Sequence, residues 1–249
     1  MIAIMGALDQ EILDIRRRMM VKERVAERHG KLYRGRFLDK EVLLVKTGMG
    51  KNRAEKAARL ILERYPVGSI ISLGFAGAVA PELNIGDVVI CSRLYCLCRI
   101  GGGWREEGRC HSNRRLLELA AGRDALPEGW HLGSSASILE LESSTSRLAG
   151  LGEAFPVQIV DMESYWIASL AAAANIPFIA IRSVSDTPRS TLKPFDEIFT
   201  PEGTLLFKKA ALAFLIHPRY LWNTYLLYQN VLLARKNLLD CVSRLVRQM

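Results

Sequence analysis

The chain has 249 residues, of which 49% are hydrophobic and 24% are charged. This composition is typical of a globular protein and excludes an intrinsically disordered or fibrous chain. The length allows one large domain or two small ones, and α/β proteins of this size are commonly undivided. The formal net charge is +8, and no run reaches the ~18 apolar residues that a membrane-spanning helix needs.

The five cysteines form an odd set with no CxxC pair. Neither a disulfide framework nor a common zinc spacing is therefore predicted, and we expect no bound metal. The apolar start, Met1 to Gly6, has no basic residue before it and is followed at once by Asp9 and Glu11, which argues against a signal peptide. We therefore expect a cytoplasmic protein.

Short apolar runs alternate with helical patterns along the chain, which predicts an α/β fold with a mixed, mostly parallel central sheet flanked by helices. The predicted strands are, in chain order, Ile2 to Met5, Leu32 to Phe37, Glu41 to Thr47, Ser69 to Leu73, Asp87 to Arg93, His131 to Ile138, Val157 to Val160 and Phe178 to Val184. The predicted helices are Asp9 to Met20, Asn52 to Tyr65, Asn113 to Ala121 and Met162 to Ala174, with two more in the C-terminal tail. The glycine-rich segment from Gly101 to Arg109 is predicted to be a mobile loop.

No internal repeat and no linker rich in Pro, Gly or Ser divides the sequence. We therefore expect a single α/β domain over residues 1–200 and a helical extension over residues 201–249 that packs on it. In this extension, apolar residues recur at helical spacing after Pro218, which predicts a long amphipathic helix that begins there.

The excess positive charge is concentrated in the tail. Between Thr204 and Met249 the sequence has seven Lys and Arg residues and one acidic residue. They are interleaved with Leu, Trp and Tyr rather than with the small polar residues that contact phosphates, so we expect no nucleic-acid partner. Two interpretations stay open. The tail contacts a membrane surface or a lipid-like ligand, or its apolar stripe packs on the sheet or on the second subunit of a homodimer.

Charged side chains stand near the carboxyl ends of predicted strands, the edge at which open α/β sheets bind ligands. Glu11 follows the first strand, Asp161 and Glu163 follow another, and Asp186 follows the last. Arg182 lies inside the final apolar strand, where an arginine is costly unless it is paired or binds an anion or a polar ligand. Each residue alone also has a structural interpretation, as a helix N-terminal acid or an ion-pair partner.

Five segments, taken in order, resemble the superfamily of nucleoside phosphorylases and methylthioadenosine/S-adenosylhomocysteine nucleosidases. They are Ile4-Met5-Gly6-Ala7-Leu8-Asp9-Gln10-Glu11, Thr47-Gly48-Met49-Gly50-Lys51-Asn52, Leu73-Gly74-Phe75-Ala76-Gly77 with Gly86-Asp87-Val88-Val89, Val160-Asp161-Met162-Glu163-Ser164, and Ile181-Arg182-Ser183-Val184-Ser185-Asp186. The resemblance covers most of the chain. It implies an enzyme that cleaves the N-glycosidic bond of a purine nucleoside without a cofactor, with phosphate as the alternative co-substrate to water.

The resemblance places three residues in the reaction. Asp186 matches the family's acid, which protonates the purine at N7 so that the base departs neutral. A carboxyl group there also accepts from a 6-amino group, which suits adenine, and it needs a pKa raised by burial or by hydrogen bonds to its neutral form. Glu11 matches the residue that holds the attacking water, and Arg182 would help to position the nucleophile.

The resemblance assigns the remaining matched residues to substrate binding. Glu163 matches the acid that binds the ribose hydroxyls, and Met162 beside it would pack on the sugar or the base. Gly74, Phe75 and Ser185 belong to the matching segments and are expected at the substrate. The family's nucleosidases carry a hydroxyl side chain where this chain has Phe75, which leaves water and phosphate both open as the nucleophile.

Phe75, the Val160 to Ser164 segment and the basic, apolar tail resemble the hopanoid-associated branch of the superfamily. This implies removal of adenine from adenosylhopane, a nucleoside with a polycyclic lipid on its 5′ side, by an enzyme peripheral to the membrane. The alternatives are a methylthioadenosine/S-adenosylhomocysteine nucleosidase or a phosphorolytic purine nucleoside phosphorylase. A non-catalytic relative that binds nucleosides or lipids is the alternative from another functional class.

Overall fold

The computed structural model describes residues 1–27, 30–122, 125–139, 150–187 and 219–249. The strands are β1 (Ile2–Gly6), β2 (Met20–Glu27), β3 (Gly30–Phe37), β4 (Lys40–Lys46), β5 (Ser69–Ala78), β6 (Val88–Ile100), β7 (Gly103–His111), β8 (Trp130–Ser137), β9 (Ile159–Asp161) and β10 (Phe178–Asp186). The helices are α1 (Asp9–Arg18), α2 (Lys51–Arg64), α3 (Arg114–Ala121), α4 (Leu151–Ala154), α5 (Ser164–Ala173) and α6 (Arg219–Gln248). The predicted fold class, a single α/β domain, is confirmed.

All the strands belong to one mixed sheet, and five of them close into a ring. Strand β5 pairs in parallel with β10. The ring continues through the pairs β10–β6, β6–β8 and β8–β9, and it closes where β9 pairs with β5. On its other edge β5 first pairs with β1, over Ser69 to Ser72, and pairs with β9 only at Gly77 and Ala78. The sheet therefore splits beside the middle of β5, and a gap opens between the ends of β1 and β9.

Strands β4, β3 and β2 extend the sheet outward from β1. Strand β2 was not predicted from the sequence, and the prediction of a loop from Gly101 to Arg109 is wrong. That segment forms β7, which pairs antiparallel with β6 through a turn at Gly101 and Gly102, both of which have positive φ. Exposed and half-buried residues alternate along β7, because only one of its faces packs on the protein.

Helices cover both faces of the sheet. Helices α2 and α5 pack on one face, where Ala54, Ile61 and Ile167 belong to a buried cluster with the strands. Helices α1, α3 and α6 pack on the other face, where Ile15 and Leu116 join a second cluster. Buried apolar faces of this kind supply most of the stability of helices in globular proteins.

The predicted long helix of the tail is present, and its described part spans Arg219–Gln248. Its apolar stripe is buried against the sheet from Ala234 onward, where Leu238, Val242 and Leu245 contribute to the same core as β10. The second predicted tail helix and the predicted domain boundary at residue 200 lie outside the described residues. Among the helices that the model describes, none is long and apolar enough to span a membrane.

Candidate active site

The split in the sheet brings the predicted charged residues together. Glu11 follows β1, Asp161 ends β9, Arg182 pairs with Gly74 in the middle of β5, and Asp186 pairs with Gly77 at its end. The ends of strands from both sides of the split thus surround one gap, the kind of position where α/β sheets bind ligands.

Glu11 is fixed by backbone groups from two elements. Its Oε2 accepts hydrogen bonds from Ala7 N at 2.6 Å and from Leu8 N at 2.8 Å, and its Oε1 accepts from Phe75 N at 2.9 Å. The bond from Leu8 N is half of a capping box, because Glu11 stands in the first turn of α1. Burial raises the pKa of Glu11, although the three N–H donors and the charge of Arg182 oppose this.

Gly74 makes room for this carboxylate. A Cβ on Gly74 would lie 2.8 Å from Glu11 Oε1 and 3.2 Å from Glu11 Cδ, closer than two such atoms can approach. Phe75, the next residue, gives its backbone N–H to Glu11 while its half-buried side chain packs on the apolar cluster beneath α1. For both residues the described contacts are therefore with the protein, and their predicted contact with substrate stays a prediction.

Glu163 lies across the gap from Glu11 and contacts the turn before α2. Its Oε1 accepts from Gly50 N at 2.7 Å, and Gly50 adopts a positive φ that favours glycine. Met162 Cε also faces this turn, 3.9 Å from where a Gly50 Cβ would lie. Burial, followed by the negative charges of Asp161 and Glu11, raises the pKa of Glu163 to about 8.

Arg182 and Asp161 form a buried ion pair between β10 and β9. Arg182 Nε lies 3.2 Å from Asp161 Oδ2, and the side chains are 2% and 1% exposed. The guanidinium also donates to Ser72 Oγ at 2.9 Å and to the carbonyl oxygen of Ile181 at 3.1 Å. Burial alone would raise the pKa of Asp161, but Arg182 and the hydrogen bonds from Ser137 and Ser164 hold it below its usual value.

Asp186 ends β10 at an irregularity in the pairing with β5. Ser185 Oγ lies 2.6 Å from Asp186 Oδ1 and 3.4 Å from the carbonyl oxygen of Ala76. A Cβ on Gly77 would lie 3.0 Å from Asp186 Oδ2, so glycine keeps this oxygen uncrowded. Burial raises the pKa of Asp186, opposed by the hydrogen bond from Ser185, which is the direction that a proton donor needs.

The charged residues predicted from the sequence thus lie around one gap, but sequence reasoning missed the groups that hold them. The missed groups are backbone N–H donors and the buried hydroxyl groups around Asp161, namely those of Ser135, Ser137 and Ser164. These three serines, two on β8 and one at the start of α5, show no recognisable spacing in the sequence. Their shared target becomes visible only when β8 and β9 are seen side by side.

Comparison with known proteins agrees with this geometry. The family model described as the phosphorylase superfamily matches residues 1–215, and the chain belongs to this superfamily. The resemblance stated from the five sequence segments is therefore confirmed at the level of the superfamily.

The relatives found by sequence include 5′-methylthioadenosine/S-adenosylhomocysteine nucleosidases. That of Anoxybacillus flavithermus is 27% identical over 211 residues, which cover 74% of this chain and 84% of the relative. That of Staphylococcus aureus is 27% identical over 218 residues, which cover 82% and 94%. The crystal structure of the Neisseria meningitidis nucleosidase with methylthio-immucillin-A matches 100% of this chain and 99% of its own, with a TM-score of 0.76 and 22% identity. This last likeness shows a common fold.

Proposed function

We propose that the protein is a nucleosidase that hydrolyses the N-glycosidic bond of a 5′-substituted adenosine and releases adenine. The observation that carries this proposal is the half-buried carboxyl group of Asp186 at the end of β10, whose pKa is raised by burial. A raised pKa favours the protonated form of a carboxyl group, the form that can donate a proton to the purine N7. The base then leaves as neutral adenine while positive charge develops on the sugar.

Water is the nucleophile that the charges of the site favour. The guanidinium of Arg182 is already paired with Asp161 and also donates to Ser72 and Ile181. A phosphate dianion would have to compete with Asp161 for this cation, whereas water can give a proton to a carboxylate as it attacks. Glu11 fits this role because three N–H donors fix its orientation. The C1′–N9 bond breaks, the hydroxyl group joins C1′, and Asp186 supplies the proton that adenine carries away.

Small 5′-thio-substituted adenosines are the first substrates to test, because the relatives named above are nucleosidases for methylthioadenosine and S-adenosylhomocysteine. Adenosylhopane was suggested partly by the apolar stripe of the tail. From Ala234 to Val246 this stripe is buried against the sheet, so these residues do not support contact with a lipid. Among the described tail residues, Tyr228 at 54% and Leu233 at 44% exposure are the large exposed apolar side chains.

The test is adenine release by the full-length protein from methylthioadenosine, S-adenosylhomocysteine and adenosylhopane, each with and without phosphate. We expect release of adenine and the free 5-substituted ribose, with no dependence on phosphate. Asp186→Asn should keep the fold and lose about 10²- to 10⁴-fold in kcat, because an amide can donate a hydrogen bond but cannot transfer the proton. Formation of a ribose 1-phosphate would refute hydrolysis, and near wild-type turnover by Asp186→Asn would refute the role of this acid.

The adenosylhopane and membrane hypotheses make separate predictions. If adenosylhopane is the substrate, its kcat/KM should exceed that of methylthioadenosine, and the intact protein should float with anionic liposomes at low salt. Preference for the small thio-nucleosides together with no flotation would leave the tail a purely structural element.

A further inference from the structure

Asp161 makes more contacts than any role yet assigned to it requires. Its Oδ1 accepts from Ser137 Oγ at 2.6 Å and from the backbone N–H groups of Glu163 and Ser164, both at 3.0 Å. These last two groups open helix α5. One oxygen of Asp161 therefore fixes the segment that carries Glu163.

The other oxygen of Asp161 faces a different element. Its Oδ2 accepts from Ser135 Oγ at 2.8 Å, from Ser164 Oγ at 2.5 Å and from Arg182 Nε at 3.2 Å. Six donors thus converge on one carboxylate, which offers about four lone-pair sites. Asp161 has no acceptor capacity left for a substrate, so its function lies in the groups that it holds.

We propose that Asp161 is a positioning residue for the reaction, with one oxygen fixing the segment of Glu163 and the other fixing the guanidinium of Arg182. This inference rests on the proposed nucleosidase function. Through Asp161, the distance between the ribose-binding acid and the cation of the site is set by a single side chain.

The placement of Arg182 explains why such an anchor is needed. Three of the five N–H donors of its guanidinium are directed to Asp161, Ser72 and Ile181. The charge is buried with an exposure of 2%, and a buried charge is tolerated only when it is paired and hydrogen-bonded. Ser72 on β5 and Asp161 on β9 both contact the guanidinium, so its position depends on both.

Two matched serine variants test the two oxygens of Asp161 separately. Ser137→Ala removes a donor to Oδ1, and Ser137 Oγ also accepts from Tyr165 N at 3.0 Å in α5. Ser135→Ala removes a donor to Oδ2, the oxygen that pairs with Arg182 Nε. Both serines are buried, and neither change strands a charge, so both variants are expected to fold.

The control is Ser183→Ala. Ser183 is buried, adjoins Arg182 on β10, and its hydroxyl group contacts the carbonyl oxygens of Gly86 and Asp87 instead of the Asp161 network. Ser183→Ala removes a hydroxyl group, as the other two variants do, and should have a similar effect on packing.

Steady-state release of adenine is measured for the wild type and the three serine variants, with thermal unfolding as a check on the fold. We expect Ser137→Ala to raise KM about tenfold with little change in kcat, and Ser135→Ala to lower kcat about tenfold with little change in KM. Ser183→Ala should leave both within about twofold of the wild type.

Asp161→Asn tests the residue itself. An amide keeps an Oδ1 acceptor for the start of α5 but presents an N–H donor where Arg182 Nε needs an acceptor. We expect a loss in kcat of about 10²-fold, since a shift of about 1 Å in a positioned group has this effect. If Asp161→Asn does not fold, the two serine variants still test the positioning role of Asp161.

The outcomes separate the two proposals. A wild-type protein that releases no adenine from the nucleosides tested would refute the proposed function. An active wild type whose Ser135→Ala and Ser137→Ala variants have the same kcat and KM as Ser183→Ala would refute the positioning role of Asp161.

Discussion

Replacing Gly74 with alanine tests the arrangement of Glu11 without touching its chemistry. The new Cβ would lie 2.8 Å from Glu11 Oε1, about 0.6 Å inside an ordinary carbon–oxygen contact of about 3.4 Å. The carboxylate cannot retreat freely, because Oε1 accepts from Phe75 N at 2.9 Å and Oε2 accepts from two further N–H groups. The strain must therefore move Glu11 or the strand that carries residue 74.

The size of the effect follows from the bonds that have to yield. A hydrogen bond to a charged group contributes about 1.5–3 kcal/mol. Losing one of the three should lower the free energy of unfolding by about that amount. Displacement of Glu11 by a few tenths of an ångström should also lower kcat by about 10- to 100-fold. The measurements are thermal unfolding and adenine release at saturating substrate.

Gly68→Ala is the matched control. Gly68 is exposed immediately before β5, and its Cβ would meet nothing closer than the carbonyl oxygen of Met1 at 3.9 Å. This variant should match the wild type in activity and should change stability by less than about 1 kcal/mol. If Gly74→Ala also retained wild-type turnover and melting temperature, the close contact with Glu11 would have no functional consequence and the reasoning would be wrong.

Two further variants test the electrostatics of the site and the docking of the tail. Burial raises the pKa of Glu163 from 4.5 to about 8, so between these pH values folding requires this group to take up a proton and its stabilising contribution falls as pH rises. Glu163→Gln needs no such proton, so the melting temperature of the variant minus that of the wild type should be larger at pH 8 than at pH 5. If this difference were the same at both pH values, the raised pKa would be contradicted. Arg235→Ala should lower the free energy of unfolding by about 1–2 kcal/mol, because Arg235 pairs in bidentate fashion with Asp14 of α1 at 2.7 and 3.0 Å. The exposed Lys236→Ala should change it by less than about 0.5 kcal/mol, and equal effects of the two variants in chemical denaturation would show that the ion pair does not hold the tail.

The predicted strands were correct where the sequence pattern reflects burial on both faces. Strand β1 reads as a continuous apolar run and is fully buried, and β10 begins as the apolar run Phe178 to Ile181 and is buried up to Val184. Strand β2, with the sequence Met-Val-Lys-Glu-Arg-Val-Ala-Glu, lies at the outer edge of the sheet and pairs only with β3. An edge strand carries charged side chains and gives a weak apolar signal, so it was missed.

The grouping of the charged residues could be predicted in part. Positions after apolar runs indicated that Glu11, Glu163 and Asp186 lie near one edge of the sheet, because the ends of parallel strands meet there. The sequence also indicated that Arg182 needs a partner, but it could not say which acid supplies it. That choice depends on the closed ring of strands, which places the end of β9 against β5 and β10.

The docking of α6 has a consequence for how the protein is made. Residues of α6 cover the same sheet face as Ile12 and Ile15 of α1 and Ile179 of β10, yet they are synthesised after every residue of the site. Until then, a growing chain that already contains every residue of the site would present an uncovered apolar surface. We expect a chain that ends before Arg219 to aggregate during synthesis, and supplying the tail as a separate peptide should restore solubility if this burial is its main task.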